Sequence, residues 1–390
     1  MRKSWLILIA IFIISSVCPH PTYAIVNPLG VPNNKIGIHI IDENDLVDAA
    51  ALTNSSGGDW GYVTIVLPDN ERKVDKWNRI FLQMQTLHLI PIVRIATHVE
   101  QDSWVKPDPS DADKLADFLN SLSWPTRNRY VVLFNEPNHA KEWGGETNPE
   151  SYVKLLQSYH DALKNKSQDF FVLPAGMDAS APDAAGTMDE KKYLAQMTQT
   201  DPKWFTYIDG WTSHSYPNPG FSGYASDDGR GTVKTYEWEL DLLKTLGNKS
   251  DLPVFITETG WPHIEGDAAF KRFYTSDEVT DLIQYAADNV WTDSRIVAVT
   301  PFVLNYQSKP FINFSWRKPN SDYYYSMFDM YRSIPKIAGS PEMSPLLAKK
   351  NDTQENVLGE QQIITVTPSP TPVASIWTRI WFQVTRKLHL

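Results

Sequence analysis

Cysteine is all but missing from this chain. The one example among 390 residues, Cys18, lies in an apolar amino-terminal stretch. Past that stretch no disulfide framework or thiolate metal site can be built, so the fold must be held by its core. A chain of this length has enough interior for that. Long apolar runs are missing too. Trp5 to Val17 is largely apolar, but it falls short of the roughly 20 residues a membrane-spanning helix requires. Positive charge is scarce: 36 Lys and Arg stand against 46 Asp and Glu, a formal net charge of −10. A phosphate backbone demands the opposite sign, so nucleic acid is excluded as a partner. The first strand candidate ends in His39-Ile40-Ile41-Asp42 without a glycine-rich phosphate loop. That argues against an open, doubly wound nucleotide-binding sheet. Zincin and EF-hand patterns are also lacking, and no metal or other cofactor is expected.

The two ends carry signals of their own. Arg2 and Lys3 precede the apolar stretch, and Thr22-Tyr23-Ala24 offers a small-residue cleavage site. Residues 1–24 therefore read as a signal peptide, and the protein as secreted or associated with the cell envelope. Residues 338–372 read as a polar linker, extended where it becomes rich in Pro, Ser and Thr at Thr365 to Pro372. In 373–390, Val373, Ile376, Trp377, Ile380, Trp381 and Val384 fall on one helical face, with Arg379, Arg386 and Lys387 as basic partners. Such a segment suits peripheral contact with a membrane surface.

Residues 25–337 read as one catalytic domain in which short, continuous apolar runs alternate with longer amphipathic ones. The strand candidates are 35–41, 61–67, 90–95, 130–135, 170–175, 207–214, 253–257 and 296–304, each followed by a helix candidate. Strands apolar along their whole length are buried on both faces and pair in parallel. Several helices have start signals: Asp108-Pro109-Ser110, Thr147-Asn148-Pro149-Glu150 and Thr275-Ser276-Asp277-Glu278. Eight strand–helix repeats predict an α/β fold, a (β/α)8 TIM barrel.

Two glutamates stand at strand ends, about 120 residues apart: Glu136 in Phe134-Asn135-Glu136-Pro137 and Glu258 in Thr257-Glu258-Thr259-Gly260-Trp261. The carboxyl ends of barrel strands are where substrates bind. Strands 4 and 7 of a closed ring of eight can aim two side chains across one mouth. Breaking a glycosidic bond takes a proton on the departing oxygen and a negative charge at the anomeric carbon, which two carboxyl groups supply. Fourteen Trp and seventeen Tyr offer flat faces for sugar rings as well as core volume.

Asn-Glu-Pro at strand 4 with Thr-Glu-Thr-Gly-Trp at strand 7 resembles the retaining glycoside hydrolases of clan A, near family 39 and the family 5-like members. The resemblance spans roughly 35–333. It implies Glu136 as acid/base, Glu258 as nucleophile and Asn135 as the contact to the substrate 2-hydroxyl. His214-Ser215-Tyr216-Pro217 is similar to the His-x-Tyr of strand 6, which implies Tyr216 bonded to the nucleophile and His214 lining the subsite. Arg94 resembles the buried arginine that keeps the nucleophile ionised. Trp261 follows the nucleophile, Trp316 and Tyr306 are candidates for an aromatic platform, and His39 at the end of strand 1 is within reach. The expectation is a monomeric, secreted retaining glycosidase acting on a β-linked poly- or oligosaccharide. The alternatives are a catalytically silent glycan- or partner-binding barrel and a transglycosylase using the same two carboxylates.

Overall fold

The computed structural model describes residues 25–267 and 272–344. The signal peptide reading, the amphipathic segment 373–390 and most of the linker reading lie outside those residues. Within them the architecture is the anticipated (β/α)8 barrel. The strands are β1 (Gly37–Ile40), β2 (Gly61–Pro68), β3 (Leu89–Ala96), β4 (Arg129–Leu133), β5 (Phe170–Pro174), β6 (Trp211–His214), β7 (Val254–Glu258) and β8 (Ile296–Val299). The helices that follow them are α1 (Leu46–Thr53), α2 (Val74–Thr86), α3 (Ala112–Asn120), α4 (Pro149–Lys166), α5 (Glu190–Thr200), α6 (Thr235–Thr245), α7 (Ser276–Asn289) and α8 (Ser326–Ser333).

Every pairing among these eight strands is parallel. β1 to β5 form one continuous ladder and β6 to β8 another, and two seams join them. At the first, Ile36 bridges Val299 in parallel, and the Val299 N–H donates to the Lys35 carbonyl. At the second, Asp209 N–H donates to the Val172 carbonyl while its carboxylate accepts from Val172 N–H. Asp178 then bridges His214 above them.

Alternation along each strand divides the core. The odd set on β2, Val63, Ile65 and Leu67, joins the layer between sheet and helices. The alternate set on each strand faces inward, so that Tyr62, Ile90, Ile92, Tyr130, Val132, Phe171, Leu173 and Phe255 fill the barrel interior. The same period of two carries the inward row of β3 from Ile90 and Ile92 to Arg94, at the upper end of the barrel. Gly37 on β1 has to be glycine, because an added Cβ would lie 2.7 Å from both the Tyr62 carbonyl and the Thr300 methyl.

The helix starts follow the sequence signals. Asn148 accepts from Ser151 N–H with Pro149 in the first turn of α4, and Thr275 with Glu278 forms a reciprocal capping box at α7. Tyr152, Leu155, Leu156 and Tyr159 of α4 are all buried.

The packing of the barrel extends past Ile337, where the linker reading begins. Residues 338–344 form a strap across the amino-terminal end of the strands. Gly339 N–H donates to the Asp59 carbonyl, Ser340 N–H to Pro32, Arg127 N–H to Glu342 and Ser344 N–H to Pro125. Among the described residues, no helix is long and apolar enough to cross a membrane.

Candidate active site

The site is assembled at the carboxyl ends of the strands. Glu258 is the last residue of β7. Its Oε1 lies 3.3 Å from Arg94 Nη1 and 3.9 Å from His39 Nε2, and its Oε2 accepts from the Tyr216 hydroxyl at 3.1 Å. Burial pushes its pKa up. The charges of His214 and Arg94, with His39 and the Tyr216 hydrogen bond, outweigh burial and hold it below the ordinary glutamate value. His39 does not carry the charge that would make it a counter-ion. It is fully buried, and desolvation pulls its pKa down to about 3 against the attraction of Glu258.

Glu136 reaches the mouth by a different route. β4 ends at Leu133. The turn that follows is made by Phe134 and Glu136, with φ of 74° and 31°. Left-handed backbone at non-glycine residues costs on the order of 1–3 kcal/mol each, and it collects at functional sites. Here it swings Glu136 inward, where its N–H donates to the Gly176 carbonyl.

His214, the last residue of β6, links the two carboxylates. Its Nδ1 is 2.8 Å from Glu136 Oε1 and 3.9 Å from Glu258 Oε2. Burial pulls its pKa down, but the charge of Glu258 and the hydrogen bond to Glu136 outweigh that and raise it. The ring lies flat against Gly176, where an added Cβ would come within 2.3 Å of it. One donor atom each from Glu136, His214 and Glu258 lie within 4.8 Å of one another. These are the groups among the described residues that could share a metal ion. The side chain of Glu258 is 12% exposed against 22% for Glu136, so the two carboxylates sit in different surroundings.

Asn135 is held on both sides. Its Oδ1 accepts from Arg94 Nη1, and its Nδ2 donates to Glu142 Oε2 at 3.3 Å. The sequence reading thus brings Glu136, Glu258, Asn135, His214, Tyr216, Arg94 and His39 into one constellation. Tyr306 lies in an aromatic cluster with Phe302, Phe311 and Phe314, against which Tyr216 packs. Trp261 is buried, and its Nε1 donates to the Gly223 carbonyl, so it braces the 220s loop.

Trp316 is a correction. It is buried in the layer between sheet and helices, edge-on to Tyr331 of α8 at 5.2 Å. The chain after Ser315 turns back to pair with the segment that follows β8, since Trp316 N–H donates to the Val303 carbonyl, and that directs the indole away from the mouth.

The structure adds three features that the sequence reading missed. Phe302 stands edge-on to His39 at 5.1 Å. His139 Nε2 bonds Asp178 Oδ2 at 2.9 Å. Burial pulls the His139 pKa down, but Asp178 and the nearby Glu136 raise it to about 9. Glu142, on the short turn Ala140–Glu142 after β4, is pushed up to about 7 by burial and by the charge of Glu136. His139 and Glu142 lie in a loop with no periodicity to expose them. Their only signal was proximity in sequence to Glu136.

No family model and no curated protein matches the sequence. Solved structures do match the fold. A fungal β-1,4-galactanase superposes with a TM-score of 0.52 at 13% identity, over 77% of this chain and 94% of that one. A glucosidase from Croceicoccus marinus gives 0.53 at 9%, over 78% and 67%. A monomeric β-xylosidase from Caulobacter crescentus CB15 gives 0.50 at 12%, over 77% and 68%. At these identities the likeness establishes a shared (β/α)8 barrel.

Proposed function

We propose that the protein is a retaining glycoside hydrolase acting on a β-linked poly- or oligosaccharide. The observation that carries this reading is the pair Glu136 and Glu258 at one barrel mouth, with carboxylate oxygens within 4.8 Å. Retaining enzymes place their carboxyl groups about 5–5.5 Å apart, while inverting enzymes need about 6.5–9.5 Å to seat a water between them. The barrel is one that solved galactanase, glucosidase and xylosidase structures share.

Each carboxylate has surroundings suited to one role. Glu258, kept ionised by Arg94 and His214 and oriented by Tyr216, attacks the anomeric carbon. Glu136 gives its proton to the departing oxygen. Its Oε1 lies 2.8 Å from His214 Nδ1, a contact that orients the carboxyl toward the mouth. Water then enters, Glu136 removes its proton, and the ester to Glu258 is released. A transglycosylase would differ only in the acceptor. A silent binding barrel would have no use for a nucleophile held below its ordinary pKa. The leader-like residues 1–24 support the further part of this proposal, that the glycan is an envelope or extracellular one.

Time-resolved NMR of the first product of a β-linked oligosaccharide tests the mechanism. Retained anomeric configuration is expected, and an inverted first product would overturn double displacement. Glu258→Gln is expected to lower turnover on the order of 10³-fold or more. Glu136→Ala is expected to lose about 10²–10⁴-fold on natural linkages. Its loss should be much smaller on aryl glycosides whose leaving group needs no proton. An equal loss on both would remove Glu136 from the acid role.

A further inference from the structure

The charged groups around the mouth pair off, with one exception. Arg94 faces Glu258 at 3.3 Å, His214 faces Glu136 at 2.8 Å and His139 faces Asp178 at 2.9 Å. Glu142 is left over. Among the described residues, no Lys, Arg or His comes within ion-pair distance of its carboxylate. The hydrogen bond it accepts is from the neutral amide of Asn135. Asn135 cannot relay charge to it, because its oxygen is already taken by Arg94. Glu142 lies on the wall of a small open cleft lined by Arg94, Thr97, Trp104, Phe134 and Asn135. The cleft adjoins the carboxylate pair, since Asn135 and Glu136 are consecutive.

We propose that this cleft takes a protonated primary amine of the substrate, so that the glycan cleaved is one built from free amino sugars. The proposal rests on the glycosidase reading above and narrows it to a substrate class. A ring hydroxyl offers Glu142 a hydrogen bond but leaves its charge uncompensated. An ammonium group supplies both, and in a partly desolvated cleft the pairing is worth more than in water. Arg94 does not repel the amine, because Glu258 already balances it. Burial and the charge of Glu136 raise the Glu142 pKa against the opposing fields of Arg94 and His139, and an ammonium ligand in direct contact would lower it.

The test uses three β-linked oligomers of one length that differ at a single substituent: free amine, N-acetylated amine and hydroxyl. Wild type is expected to show at least tenfold higher kcat/KM on the free-amine oligomer. Glu142→Gln, close in shape and still able to accept from Asn135, is expected to reduce that preference tenfold or more, through KM. Calorimetry on Glu258→Gln should show the free-amine oligomer binding more tightly than the other two, and Glu142→Gln in that background should abolish the difference. Hydrolysis of the oligomers without preference for the amine, or an equal effect of Glu142→Gln on all three, would overturn this proposal and leave the glycosidase reading standing. Failure of wild type to cleave any β-linked glycan, these three included, would remove the parent reading and this one with it.

Discussion

Arg94 faces Glu258 and donates to Asn135 through the same Nη1, so a single nitrogen fixes both a charge and a direction. Losing it acts on pH dependence before it acts on shape. In Arg94→Gln the pKa of Glu258 should rise, because a stabilising positive charge is gone while burial remains. The acid limb of kcat/KM, which reports ionisation of the nucleophile, is expected to move upward by about one unit or more. An acid limb that stays in place while activity falls equally at all pH would show a merely structural role. The residues legible in the sequence share one property: they terminate strands. Arg94 and His214 extend the inward rows of β3 and β6, and Glu258 ends β7 just past a break in its register with β6, so counting strands locates them. Glu142 and His139 project from a loop, where no period says which way a side chain points. Trp316 was misplaced for the same reason, because its direction depends on how the chain turns back onto the segment that follows β8.

Helices and strands were legible because burial on both faces makes the strands continuously apolar and capping residues mark the helix starts. What one sequence could not show was the polar packing between elements. Glu190, in the first turn of α5, and Glu239 of α6 are both fully buried. Glu239 accepts from Trp211 Nε1 at 3.0 Å. Burial raises the pKa of both, to about 7 for Glu239, and the charge of Glu239 raises Glu190 further. Each reads in sequence as an ordinary helix-surface glutamate. Their folded pKa values lie above the unfolded ones, so folding favours the protonated forms. The stability that Glu239 contributes in this way is complete below about 4.5 and is lost as pH rises through about 7. Glu239→Gln is expected to gain on the order of 2–3 kcal/mol over wild type at pH 8 and almost nothing at pH 4.5. Thermal melts at both pH values would measure this, and an advantage independent of pH would refute the linkage.

At the scale of the whole molecule, the two ends of the barrel divide their work. The mouth carries the charges, while the base is sealed by the strap 338–344 and its backbone hydrogen bonds to Asp59, Pro32, Arg127 and Pro125. Each such bond contributes about 0.5–1.5 kcal/mol net. A chain ending at Ile337 is therefore expected to melt several degrees below one ending at Ser344, with kcat unchanged at temperatures where both are folded. Equal melting temperatures would mean that the strap only covers the base.

The seam between β5 and β6 has a consequence for chemistry. Glu136 belongs to the five-stranded ladder and Glu258 to the three-stranded one, so no continuous run of sheet hydrogen bonds on that side fixes the gap between them. Asp209 ties the seam low and His214 spans it high. Whether the anomeric carbon of a glycoside meets a carboxylate or a water is decided by how closely those two ladders are drawn together, and the stereochemical outcome becomes a property of barrel closure.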